Sequence, residues 1–70
     1  MYIKIENHNE NTSRVIDYPG SITLFIALHY GAWGFYKVLK AGANHYKIID
    51  KFSGEHLHTV TKAKKGDMKQ

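Results

Sequence analysis

Three of the chain's five histidines, His45, His56 and His58, fall in one sixteen-residue stretch, "HYKIIDKFSGEHLHTV". Lys47 and Lys51 lie among them, and Lys62 comes just after. Imidazoles and ammonium groups at this spacing suit a metal site, a face for an acidic partner, or the wet side of a hairpin. Side chains alternate faces along a strand. With Ser53 and Gly54 at the centre of a turn, Lys51 is expected opposite His56, Ile49 opposite His58 and Lys47 opposite Val60. One face then carries His45, Lys47, Ile49, Lys51, His56, His58, Val60 and Lys62. The other carries Tyr46, Ile48, Asp50, Leu57, Thr59 and Thr61 and is expected under a helix.

The metal reading rests on His56-x-His58, with His45 on the neighbouring strand. A structural zinc site takes four ligands, and a catalytic one usually three and a water. No cysteine exists in the chain, no carboxylate joins that face, and lysines crowd it. No metal or other cofactor is therefore expected. Catalytic motifs are missing as well: there is no GxSxG elbow, no glycine-rich phosphate loop and no HExxH. Asp50 and His45 alternate onto opposite faces, and His29 sits in an apolar segment as a packing or helix-capping residue. An enzyme is not expected.

The elements that must position these groups emerge from pattern. Tyr2 to Glu6 alternates as a half-buried strand, "NHNENTS" is a loop, and Arg14 to Tyr18 is a second strand that closes a hairpin. Pro19 and Gly20 end it, and Ser21 is a helix N-cap. Ile22 to Tyr30, "ITLFIALHY", reads as a helix between Ser21 and Gly31, apolar on nearly every side. Such a helix is either sandwiched or offers an apolar stripe to a partner. Then come "FYKVLK", "HYKIIDK" and "HLHTVTK", joined by "AGAN" and "FSGE" into an antiparallel meander. The face on which Phe35 or Tyr36 emerges depends on the length of the "AGAN" turn. The expected fold is α+β: a small single domain over residues 1–62 with an N-terminal β-hairpin, one apolar helix and a three-stranded antiparallel meander, ββαβββ. A flexible basic tail is expected over residues 63–70.

Seventy residues hold one small core, and without disulfides packing alone must stabilise it. The start of the chain has no apolar h-region, and the longest nearly apolar run, Ile22 to Leu28, is too short to span a membrane. A soluble cytoplasmic protein with no membrane partner is the expectation.

Charge is uneven. Residues 1–34 carry Lys4 and Arg14 against Glu6, Glu10 and Asp17, a net of −1. Residues 35–70 carry eight lysines against Asp50, Glu55 and Asp67, a net of +5. This asymmetry suits an acidic partner. The leading expectation is non-catalytic DNA or RNA binding with little sequence specificity. It runs through Lys47, Lys51, His56, His58, Lys62, Lys64 and Lys65, with Trp33 and Tyr36 as stacking residues. The alternative is a small inhibitor or modulator, of the kind found in phages and mobile elements. It would capture a larger protein through its helix, its aromatic cluster or an open strand edge. A homodimer burying the helix would use the same features.

Overall fold

A computed structural model describes residues 1–31 and 34–64 of the chain. Five antiparallel strands form one sheet in the order β2-β1-β5-β4-β3. They are β1 (Tyr2–Asn7), β2 (Thr12–Asp17), β3 (Tyr36–Gly42), β4 (His45–Asp50) and β5 (His56–Ala63). The expected hairpin and meander form one sheet, because β1 pairs with β5 along its whole length, from Tyr2 opposite Ala63 to Asn7 opposite His58. β5 continues through Ala63, one residue past the expected end of the domain.

One short helical segment lies over part of one sheet face. Ser21 caps it, its Oγ accepting the Leu24 amide at 3.1 Å. Ile22–Ile26 is α-helix (α1), but Ala27–Gly31 is π-helix, so the element departs from the single α-helix of the expected ββαβββ order. The π turn has a packing consequence. An i→i+5 turn holds one more residue than an α turn and rotates the succeeding residues backwards about the axis. Tyr30 is thereby buried against the sheet, whereas His29 moves to the flank. There the His29 ring Nδ1 donates to the Phe25 carbonyl at 2.9 Å, and the ring stacks on Phe25. Leu24 and Leu28 face away from the sheet and remain exposed.

Ile3, Ile5, Ile48 and Val60 of the sheet meet Ile22, Phe25, Ile26 and Tyr30 of the helical segment in one core, with Ile16, Tyr18, Tyr36 and Tyr46 packed around it. The opposite sheet face has no described helix over it. No described helix is long and apolar enough to cross a membrane.

The β4–β5 register differs from expectation by one residue. Lys47 lies opposite Thr59, Ile48 opposite His58 and Tyr46 opposite Val60. The turn and a bulge together are the cause. Asp50 closes it, its Oδ1 accepting the amides of Phe52 (2.8 Å) and Ser53 (3.0 Å), while Gly54 adopts φ 79° and donates to the Asp50 carbonyl. The loop therefore comprises Lys51 to Gly54 rather than Phe52 to Glu55. This closes the strands at Asp50 with Glu55 and Ile49 with His56, a change of pairing that keeps the faces, and the bulge between the Ile48 and Ile49 pairings then moves the register back by one residue. Because the side-chain period is two, a one-residue slip exchanges faces. His58, Val60 and Lys62 share the helix side with Tyr46 and Ile48, while Thr59 and Thr61 share the open side with Lys47.

Candidate functional site

The expected single basic face is therefore split. Lys47 is exposed on the open face, and Lys51 is exposed in the β4–β5 turn. Lys62 is exposed on the helix side of β5, opposite Ile3, and exposed Lys64 lies just past the strand. His58 points under the helical segment, its Nδ1 3.0 Å from the Tyr30 hydroxyl. Burial, with the neighbouring His8 and His56 and against Glu10, holds its pKa below the usual histidine value. Tyr36 is half-buried, edge-on to Tyr30 at 5.4 Å, and is a core residue rather than a stacking platform. Trp33 and Lys65, with the rest of the expected tail past Lys64, lie outside the described residues.

His56, displaced by the bulge, does reach the open face, where it meets a residue that the sequence pattern assigns to a loop. Its ring lies 4.3 Å from that of His8, and Thr59 links the two. The His56 Nε2 is 3.0 Å from the His58 carbonyl, which can only accept, so this nitrogen carries the proton. The same Nε2 is 3.0 Å from Thr59 Oγ1, which lies 2.7 Å from His8 Nε2. A hydrogen-bond chain from His56 through Thr59 to His8 satisfies all three groups when His8 is neutral. Among the described residues, no three potential ligands gather to hold a metal ion.

A different cluster forms at the β3 edge, which among the described strands pairs only with β4. Its turn resolves the side of Tyr36. The bulge between Lys40 and Gly42 and the left-handed Asn44 (φ 54°) place Tyr36, Val38 and Lys40 on the helix side and Lys37 and Leu39 on the open side. Six of the seven β3 residues are exposed, including Val38 and Leu39. The Lys51 amide bonds the Phe35 carbonyl at 3.0 Å and ties the β4–β5 turn to the start of this edge. Phe35 and Phe52 are 55% and 79% exposed there, too open for either ring to belong to the core. Four lysines border the patch: Lys37 and Lys40 on β3, Lys47 opposite Leu39, and Lys51 in the turn.

Of the residues expected to act together, the edge unites Lys47 and Lys51. It adds Lys37, Lys40, Phe35, Val38, Leu39 and Phe52, which the sequence pattern treats as strand or turn. The signal for them was "KVLK" itself, two apolar residues between two lysines, which makes sense as a unit only once β3 is known to be an edge. No protein-family model, curated protein or solved structure matches the chain.

Proposed function

We propose that the chain is a non-catalytic protein-binding module that adds an extended segment of a larger partner to its β3 edge. The observation that carries this reading is the exposed run Lys37-Val38-Leu39-Lys40 on a strand with one side unpaired among the described residues. Main-chain hydrogen bonds along an open edge supply affinity, and alternate side chains supply selectivity. A segment laid against this run meets a cation and an apolar side chain on each face of the sheet. The matching sequence has two apolar residues between two acidic ones, and it matches in either strand direction because the run is symmetric in type. Phe35 and Phe52 extend the apolar surface past one end of the contact. A partner whose segment is held in this way is blocked or remodelled at that segment, which is how such a module would act as an inhibitor or modulator.

The lysines also argue against the edge serving self-association. Edge-to-edge pairing of two copies sets Lys37 and Lys40 of each against those of the other, a device that keeps open strands apart. Nucleic acid is favoured less, because the continuous cationic face it was expected to use is divided between two sides of the sheet.

The test is a titration with a peptide bearing an acidic–apolar–apolar–acidic core, read by amide chemical shifts. Saturable shifts centred on Lys37 to Lys40 are expected. Lys37→Glu with Lys40→Glu should abolish them and leave the melting temperature unchanged, and a peptide with basic flanks should restore binding to that variant. A single-stranded oligonucleotide bound with steep salt dependence, and lost on Lys47→Glu with Lys51→Glu, would return the site to nucleic acid. Shifts spread evenly over the sheet would sink the edge assignment.

A further inference from the structure

We propose a second site on this molecule: the cleft between the π turn and the β2-β1-β5 part of the sheet binds a small organic monocarboxylate. The cleft has a volume of about 290 Å³ and is lined by residues from all the elements around it. Two adjacent rows of the sheet build its base. Arg14 lies opposite Ile5, and Asn7 lies opposite both Thr12 and His58. Tyr30 and His29 of the π turn and Phe25 of α1 form the other wall.

Arg14 is the only arginine of the chain. It has no carboxylate within ion-pair distance among the described residues, where the one ion pair joins the Met1 ammonium to Asp17. Its guanidinium makes no hydrogen bond to any described residue either. A group that is always protonated and carries five donors thus lines a cleft, exposed to solvent and with no described residue bonded to those donors. Among the other polar groups that line the cleft, Asn7, Thr12 and Tyr30 are neutral and can donate, whereas the Glu10 carboxylate is an acceptor. Burial, with Tyr36 alongside and against the pull of Arg14, raises the Tyr30 pKa and keeps its hydroxyl protonated. That hydroxyl shares one hydrogen bond with His58 Nδ1. When the His58 nitrogen is the donor, the Tyr30 proton is free to point into the cleft.

These groups select a class of ligand. A guanidinium takes a carboxylate through two parallel hydrogen bonds, and the Tyr30 hydroxyl supplies a further donor. The Phe25 ring and Ile5 line the same space and suit a carbon body, such as an aromatic ring or a short aliphatic chain. The volume is at the lower end of ordinary ligand sites, which run from about 300 Å³ upwards. Phosphate fits poorly. Glu10 lines the cleft, and among the described residues no second fixed cation lines it to meet a second negative charge.

The experiment uses the full chain and two probes, benzoate and inorganic phosphate, at matched ionic strength with chloride as reference. Benzoate is expected to shift the amides of Arg14, Tyr30 and His58 saturably, with phosphate matching chloride. Arg14→Gln removes an exposed side chain, so the fold should persist, and benzoate binding should weaken about tenfold or more. Arg14→Lys keeps the charge but not the paired donors and should fall between the two. Equal binding by wild type and Arg14→Gln would overturn the proposal, as would no shift beyond chloride. Phosphate bound more tightly than benzoate would overturn the assignment of ligand class. Lys37 and Lys40 are remote from this cleft, so Lys37→Glu with Lys40→Glu should leave benzoate binding intact. The two sites therefore stand or fall separately.

Discussion

The two ends of this sheet obey the same alternation and come to opposite results. At one end β1 buries Ile3 and Ile5 beneath the helical segment, and β5 buries Val60 between its neighbours. At the other end β3 carries Val38 on the same helix side, yet Val38 stays exposed, as does Leu39 on the open side. The difference lies in coverage rather than in strand sequence. A helical segment of ten residues, Ile22 to Gly31, reaches across part of a five-stranded sheet and stops. Beyond it the strand pattern still supplies apolar side chains, but nothing in the described chain lies over them. Stability is thus concentrated under the helix, and surface open to other molecules is concentrated past its end.

The largest expected effects test this contrast directly. Ile48→Ala, at a residue with no exposure, should cost about 2–4 kcal/mol through lost burial and the cavity left behind. In a chain of this size that approaches the whole of its stability. Leu39→Ala, on a neighbouring strand of the same sheet, should stay within about 0.5 kcal/mol, as exposed substitutions do. Chemical denaturation of both variants decides it. Similar losses at the two positions would mean that the β3 edge is covered in solution, by a second copy or by another segment.

The turn that links the two ends comes next in size. Gly54 holds φ 79°, a conformation that side-chain-bearing residues rarely adopt, with open space where a Cβ would lie. Gly54→Ala should therefore cost about 1–2 kcal/mol through backbone strain alone, with no clash to relieve. Amide exchange should quicken first at Asp50 and Gly54, which hold the turn's hydrogen bonds. An unchanged exchange pattern would show that the Asp50 side chain specifies the turn unaided.

This turn also marks the limit of what the sequence disclosed. The strands, the Ser21 cap, the helical segment and the packing of Tyr46 and Ile48 beneath it were all legible, because periodicity and capping are local. The register of β4 against β5 was not. "DKFSGEH" permits several loops, and the choice rests on Asp50 accepting two amides and Gly54 turning left-handed, after which a bulge shifts the pairing again. That one step moved His58 from the wet face to the core side and divided the expected basic face. The pairing of β1 with β5 is long-range and leaves no local mark. Nor does the π turn that buries Tyr30 in place of His29. The Arg14 cleft depends on both and so was invisible beforehand, although a single arginine in a lysine-rich chain was there to be noticed.

The smallest predicted effect separates the two ends by pH. His58, opposite Ile48 on the covered side, has its pKa held below the ordinary 6.5, chiefly by burial and then by His8 and His56, with Glu10 opposing. An unfolded chain then binds the proton more readily than the folded one. The contribution of neutral His58 is complete above about pH 6.5 and is lost as pH falls through the lower folded value. Asp50, in the turn beside the β3 edge, has its pKa held below 3.8, first by the Ser53 amide and then by that of Phe52. Its contribution is present above that pH and is lost only as pH falls through the still lower folded value. Acidification should therefore loosen the covered end first, which reverses the order set by burial. The check is the pH dependence of unfolding midpoints for wild type and His58→Gln, with amide shifts tracking the two regions. The variant should lose the slope just below pH 6.5 that wild type shows, while the Phe52 and Ser53 amides stay fixed in both until far lower pH. Parallel slopes for the two proteins would mean that His58 gains its proton without disturbing Tyr30, and that the covered end tolerates a charge its packing is built to exclude.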